Sequence, residues 1–223
     1  MADVLVVSAH PDDETLGCGG TLLKHAAAGD RLFWLIATVC HEPYWPAPLI
    51  ARKAKEVDRV AEAYGMRKVF RAGLPNARLD TVPVDDVMSP LARAVEEVRP
   101  DTVYLVHAGD IHTDHQAVFT AAMSVLKPFH MGRHGVRRVV SYETLSSTDA
   151  APARWERAFV PNVYTDITPY LERKVEIMGM YETEVQQDPL PRGPSALRAL
   201  ARFRGAIISA QYAEALMLVR ELA

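Results

Sequence analysis

Val4-Leu5-Val6-Val7-Ser8-Ala9-His10-Pro11-Asp12-Asp13-Glu14 decides how this chain folds. An unbroken β-branched and aliphatic run suits a strand buried on both faces of a parallel sheet. Here an imidazole and two carboxylates follow it at once. In open α/β sheets, ligand-binding groups collect beyond the carboxyl ends of the strands. The stretch therefore predicts a first strand over 3–8 with functional side chains at its exit.

Working outward, Leu16, Leu22, Leu23 and Ala26 to Ala28 predict a helix over 15–28, which Gly29-Asp30 stops. Leu32-Phe33-Trp34-Leu35-Ile36 predicts a second strand over 31–39, completing a βαβ unit. Three prolines and two aromatics predict an irregular loop over 41–48. Ile50, Ala54, Val57, Ala61 and Tyr64 recur at helical spacing, with Gly65 as the stop. Lys68-Val69-Phe70 predicts a short strand and 74–86 a loop, with Ser89-Pro90 opening the next helix. Strands are expected over 101–107, 137–142 and 159–166. Helices are expected over 114–127, over 169–181 behind a Thr168 cap, and over 195–208, after a proline-rich loop at 186–194. The segment 212–220 is compatible with either helix or strand. Repeated βα alternation predicts one domain over 1–223, a three-layer α/β/α fold with a mostly parallel sheet.

Composition narrows the function. With 25 Lys+Arg against 28 Asp+Glu, the net charge of -3 gives no electrostatic reason for a nucleic-acid or membrane partner, and a small soluble substrate is expected. No apolar run is long enough for a transmembrane helix, and no basic n-region precedes the first strand, so the expected location is cytoplasmic. The two cysteines, Cys18 and Cys40, are read as reduced packing residues. Gly17-Cys18-Gly19-Gly20 fails the dinucleotide fingerprint, whose third glycine would fall at Leu22; these glycines are expected to allow close helix packing.

The chemistry resides in two constellations, each after a predicted strand: His10-Pro11-Asp12-Asp13 and His112-Thr113-Asp114-His115. Either alone could be a capped helix start, with Asp12 or Asp13 as N-cap. Together, at the ends of parallel strands, they supply two imidazoles and a carboxylate, the donor set of a catalytic divalent metal with positions left open. His10, Asp13 and His115 are the expected ligands. Asp12 is then free to take a proton from the attacking water, whose pKa a divalent cation lowers towards about 7. His112, if protonated, is expected to stabilise the oxyanion or assist the leaving amine, with Asp114 orienting and charging its ring. Tyr44 and Trp45 are candidates to stack on a sugar, Arg52 or Lys53 to meet an anionic group, and Arg192 to border the pocket.

The chain resembles the LmbE-like (PIG-L) family of metal-dependent N-acetylglucosaminyl deacetylases. The resemblance rests on Ala9-His10-Pro11-Asp12-Asp13-Glu14 with Gly17-Cys18-Gly19-Gly20-Thr21, on His112-Thr113-Asp114-His115, and on a late pattern. That pattern is Tyr142-Glu143, Ser146-Ser147-Thr148, Asp166-Ile167, Lys174 and Tyr212-Ala213-Glu214. It implies a Rossmann-like fold without nucleotide and removal of an N-acetyl group from an amino sugar or its conjugate. It also implies Zn2+, or another divalent metal such as Fe2+, on His10, Asp13 and His115, with Asp12 as general base. A homo-oligomer, trimer or hexamer, and a substrate contact from Arg52 are implied as well. The chain departs from many relatives at Thr38-Val39-Cys40-His41-Glu42, where they carry a Thr-x-Gly-Glu turn.

Overall fold

β1 (Asp3–Ser8), β2 (Arg31–Val39), β3 (Lys68–Pro75), β4 (Thr102–Leu105), β5 (Arg138–Tyr142), β6 (Val163–Asp166) and β7 (Ala213–Glu221) join in one sheet. The structure is a computed structural model and describes residues 1–152 and 154–223. Strand order is β3-β2-β1-β4-β5-β7-β6. The first five strands run parallel, and β7 runs antiparallel to both β5 and β6. The mostly parallel α/β sheet expected from the alternation is what forms.

The helices are α1 (Asp13–Ala27), α2 (Ala47–Tyr64), α3 (Val84–Val98), α4 (Thr113–Val125), α5 (Pro128–His134), α6 (Leu171–Met178) and α7 (Pro194–Ile207). The chain steps outward from β1 to β2 to β3, then returns past β1 to β4. Right-handed crossovers in opposite directions put their helices on opposite faces, and α3 accordingly packs with α4 while α1 packs with α6. β1 lies at the reversal, paired with β2 through Val4↔Leu32 and with β4 through Val7↔Leu105. The crevice of such a sheet opens at this point, and the segments leaving Ser8 and Leu105 share it.

The core explains the choice of strand residues. Val4, Leu5, Val6 and Val7 are buried, as are Trp34, Leu35, Val103 and Leu105, because helices cover both faces. The Trp34 indole N–H donates to Ser8 Oγ at 3.0 Å, so the largest buried side chain keeps its polar atom satisfied.

The glycines of α1 serve packing, as expected. A Cβ on Gly17 would lie 2.1 Å from the Tyr142 ring, and one on Gly20 would lie 2.8 Å from Ile167. The helix kinks at Cys18, where φ is -138° and ψ is 20°. Two N–H groups of its second half are met from outside: Gly20 and Thr21 donate to Glu214 at 2.8 and 2.7 Å. Lys174, buried as well, donates to Glu214 at 2.7 Å and to the Leu16 carbonyl at 3.0 Å. The late motif residues Lys174 and Glu214 thus hold α1 together across its kink.

Several predicted boundaries moved. α3 opens at Val84 behind Pro83, so Pro90 lies inside the helix and Ser89 is no cap. The carbonyl that Pro90 cannot bond belongs to the exposed Asp86, where water can satisfy it. Ala47 and Pro48, expected in the loop, form the first turn of α2, since proline suits that position. The helix at 128–134 was missed, and the one expected over 169–181 covers only Leu171–Met178. The ambiguous tail is strand β7, whose place between β5 and β6 decides it.

Candidate active site

Asp12 occupies the N-cap position of α1, but its carboxylate makes no capping bond. Its φ of 116° is left-handed, a strained conformation for any residue but glycine and worth about 1–3 kcal/mol. A capping aspartate would do neither, so the reading of this stretch as a plain capped turn fails at Asp12. The carboxylate is buried, lines the cavity at the sheet crevice, and sits 3.3 Å from Arg192 Nη1. Burial, and next the charge of Asp13, push its pKa well above the usual carboxylate range; Arg192 opposes them. A carboxylate so placed holds a proton better than an exposed one, as a general base must.

Asp13 does different work. One of its oxygens accepts the His10 backbone N–H at 2.8 Å and the other lies 3.3 Å from His115 Nε2. Burial would raise its pKa, but His115 and His10 outweigh it and hold the carboxyl below its usual range. His115 Nε2 and His10 Nδ1 stand 3.3 Å apart, and His10 Nδ1 is 3.7 Å from Asp13.

The outer nitrogens of both rings are engaged by carboxylates. His10 Nε2 meets Asp114 at 3.0 Å, and His115 Nδ1 meets Asp110 at 2.7 Å. Protons assigned to those nitrogens leave His10 Nδ1 and His115 Nε2 with lone pairs facing each other beside a carboxylate. Burial alone would depress His115, yet Asp13 and Asp110 raise its pKa to about 10. Two lone pairs and a carboxylate converging on one point fit a divalent cation, which would replace the proton that such a basic ring otherwise retains. A ligand atom on each of His10, His112 and His115 lies within 4.8 Å of the others, so all three imidazoles border that point.

Two assignments change. Asp114 was expected to orient His112, but its carboxylate turns to His10 and accepts the N–H groups of Ala77 and Leu79 at 2.7 and 3.0 Å. The first turn of α4 aims this side chain at the β1 exit, so only the Asp114 backbone N–H reaches His112, at 3.2 Å from Nδ1. Burial pushes the Asp114 pKa up, and the bonds from His10 and Leu79 bring it below its usual value. His112, accepting on Nδ1, carries its proton on Nε2. Burial and the neighbouring His10 and His115 lower its pKa to about 4, so the ring is a neutral donor at pH 7 rather than a cation.

Asp110 was missed. It is wholly buried, accepts from Thr148 Oγ1 at 2.6 Å, and so links the Ser146-Ser147-Thr148 motif to His115. The sequence signal was an acidic residue five before His115, hidden because it lies in the loop rather than in the His-x-x-His helix turn. Asp110→Ala is expected to lower divalent-metal affinity by about 10–100-fold; metal titration against a chromophoric chelator reads it, and unchanged affinity would exclude Asp110 from the support of His115.

The cavity holds about 550 Å³. His10, Asp12, Asp13, His112, His115 and Arg192 line it together with Lys53 and Cys40. Lys53 pairs with Glu184, which also accepts from Arg192 at 2.8 Å. Arg52, Tyr44 and Trp45 are not among the lining residues. Arg52 bonds Glu182 at 2.6 Å on the surface, and Tyr44 packs under Arg78, whose guanidinium lies 4.6 Å from its ring centre. Of the two candidate cations, Arg52 and Lys53, the structure places Lys53 at the cavity. Cys18 is packed in the core, whereas Cys40 accepts from Asn76 at 3.3 Å on the cavity wall.

The protein-family description "PIG-L: GlcNAc-PI de-N-acetylase" matches residues 5–126, more than half of the chain. The chain belongs to the PIG-L family. Within that PIG-L match lie both constellations. The diacetylchitobiose deacetylase of Thermococcus kodakarensis is 23% identical over 238 residues, covering 97% of this chain and 82% of the relative. A conserved protein of Thermus thermophilus superposes with a TM-score of 0.78 at 26% identity, covering 100% of this chain and 97% of that one. The 4-carboxy-2-hydroxymuconate hydratase of Pseudomonas putida superposes with a TM-score of 0.74 at 19% identity, covering 100% and 98%. The PIG-L frame is therefore shared by proteins named for different reactions, and the reaction must be argued from the site. No described helix is long and apolar enough to cross a membrane.

Proposed function

We propose that the protein is a metal-dependent hydrolase that removes the N-acetyl group from an N-acetylated amino sugar or its conjugate. One observation carries this reading: the lone-pair nitrogens of His10 and His115 converge with Asp13, while a buried carboxylate with no capping role, Asp12, stands beside them. Zn2+, or another divalent ion such as Fe2+, would be held by His10, Asp13 and His115. When bound it would supply Lewis acidity, polarising the amide carbonyl and acidifying water.

The remaining steps belong to the chain. Asp12 takes the proton of the attacking water, and its raised affinity for that proton lets it deliver the proton to the departing nitrogen. His112, neutral with its proton on Nε2, offers a hydrogen bond to the developing oxyanion. Arg192 keeps the Asp12 carboxylate turned into the cavity. Asp114 and Asp110 hold the two imidazoles in the tautomers that ligation needs.

Acetate release from N-acetylglucosamine conjugates tests the activity. Stripping with a chelator is expected to abolish release, and zinc is expected to restore it. Full activity in protein with no divalent metal would overturn the mechanism. A trimeric or hexameric assembly, carried over from the family resemblance, is read by light scattering of the purified protein.

A further inference from the structure

We propose that the cavity takes substrates bearing a bulky apolar group, either in the acyl chain of the amide or in the aglycone of the amino sugar. This rests on the amide-hydrolysis reading and specifies its substrate class. An acetyl group has two carbons, whereas a cavity of about 550 Å³ falls in the range that holds drug-sized ligands.

On its β2 and α2 side the extra space is mostly aliphatic, with Thr38 and Lys53 as its polar members. Ile36 and Val57 are buried there, Ile50 is half-buried, and Val39 is 38% exposed where the wall meets solvent. Ile111, from the loop before α4, is 49% exposed at the same cavity. Scattered apolar residues on a surface are ordinary, but aliphatic groups gathered in one cavity from three separate segments mark a ligand seat.

The charges lining the cavity point the same way. Lys53 and Arg192 share Glu184, Arg192 also meets Asp12, and Arg71 bonds Asp58 at 2.6 Å. Each of these cations already has a carboxylate partner that offsets its charge, so the cavity holds less uncompensated positive charge for an anionic conjugate than its three cations suggest. An apolar group displaces only water.

Binding of reaction products, which needs no turnover, separates the two sources of the apolar group. In calorimetry on the metal-loaded protein, hexanoate is compared with acetate, and hexyl glucosaminide with methyl glucosaminide. At roughly fourfold per buried methylene, the longer member of at least one pair is expected to bind about tenfold tighter or more. Val39→Ser and Ile111→Ser are expected to shrink that ratio. The first pair reports an acyl seat and the second an aglycone seat. No gain in either pair, or a gain that both substitutions leave intact, overturns the proposal, as does glucosamine 1-phosphate binding tighter than hexyl glucosaminide. Absence of carboxylate release from every N-acyl amino sugar, N-acetyl and N-hexanoyl alike, would instead overturn the amide-hydrolysis reading, and the binding ratios would still decide the apolar seat.

Discussion

Asp12→Ala is expected to keep its metal and lose turnover by about 10²–10⁴-fold, the range that removal of a positioned general base produces. The reason is the division of labour inside one four-residue stretch. His10 and Asp13 aim at the convergence point, while Asp12 faces the cavity and Arg192. Asp13→Ala should instead lower metal occupancy, because it removes the carboxylate that both rings share. Metal analysis of the two purified variants beside acetate-release kinetics separates them. Equal metal loss from both, or an active Asp12→Ala enzyme, would undo the assignment of Asp12 as base. Relief of the left-handed strain at Asp12 is not expected from alanine, which tolerates φ of 116° no better; folding of Asp12→Ala should therefore stay near wild type.

Glu214→Ala is expected to cost about 3–5 kcal/mol of stability, the penalty for leaving a buried charge unpaired. Lys174 would keep only the Leu16 carbonyl, and the Gly20 and Thr21 N–H groups at the α1 kink would lose their acceptor. For a chain of this length about 2–4 °C is lost per kcal/mol, so the melting temperature should fall by roughly 10 °C. The double variant Lys174→Met with Glu214→Leu should recover part of the loss, since it buries no lone charge. Thermal unfolding by circular dichroism measures both. A Glu214→Ala melting temperature within 2 °C or so of wild type would show that the pair contributes little.

Much of the fold was legible because the signals were local. Buried strands such as 3–8 and 31–39 need unbroken aliphatic runs, and their bounds came out as observed. Where a boundary rested on one proline it moved: Pro90 reads as a helix start, but lies mid-helix because the orphaned carbonyl belongs to an exposed residue. The tail at 213–221 carries no decisive periodicity, and only pairing between β5 and β6 makes it a strand.

The site divides along the same line. By itself the sequence determined the histidines and carboxylates of the two constellations, their placement after two strands, and the parallel sheet that brings them together, since each follows from hydrophobic runs and short spacings. Tertiary structure alone decided which side chain meets which. The Asp114 carboxylate serves His10 and not His112, Asp110 stands behind His115, and Arg192 reaches Asp12 across 180 residues of chain. Such pairings depend on side-chain direction and loop path, which no local pattern encodes. The stretch from His10 to Asp13 announces a cluster of metal-donor side chains in one dimension; which partner each of its carboxylates takes is decided by what packs around it in three.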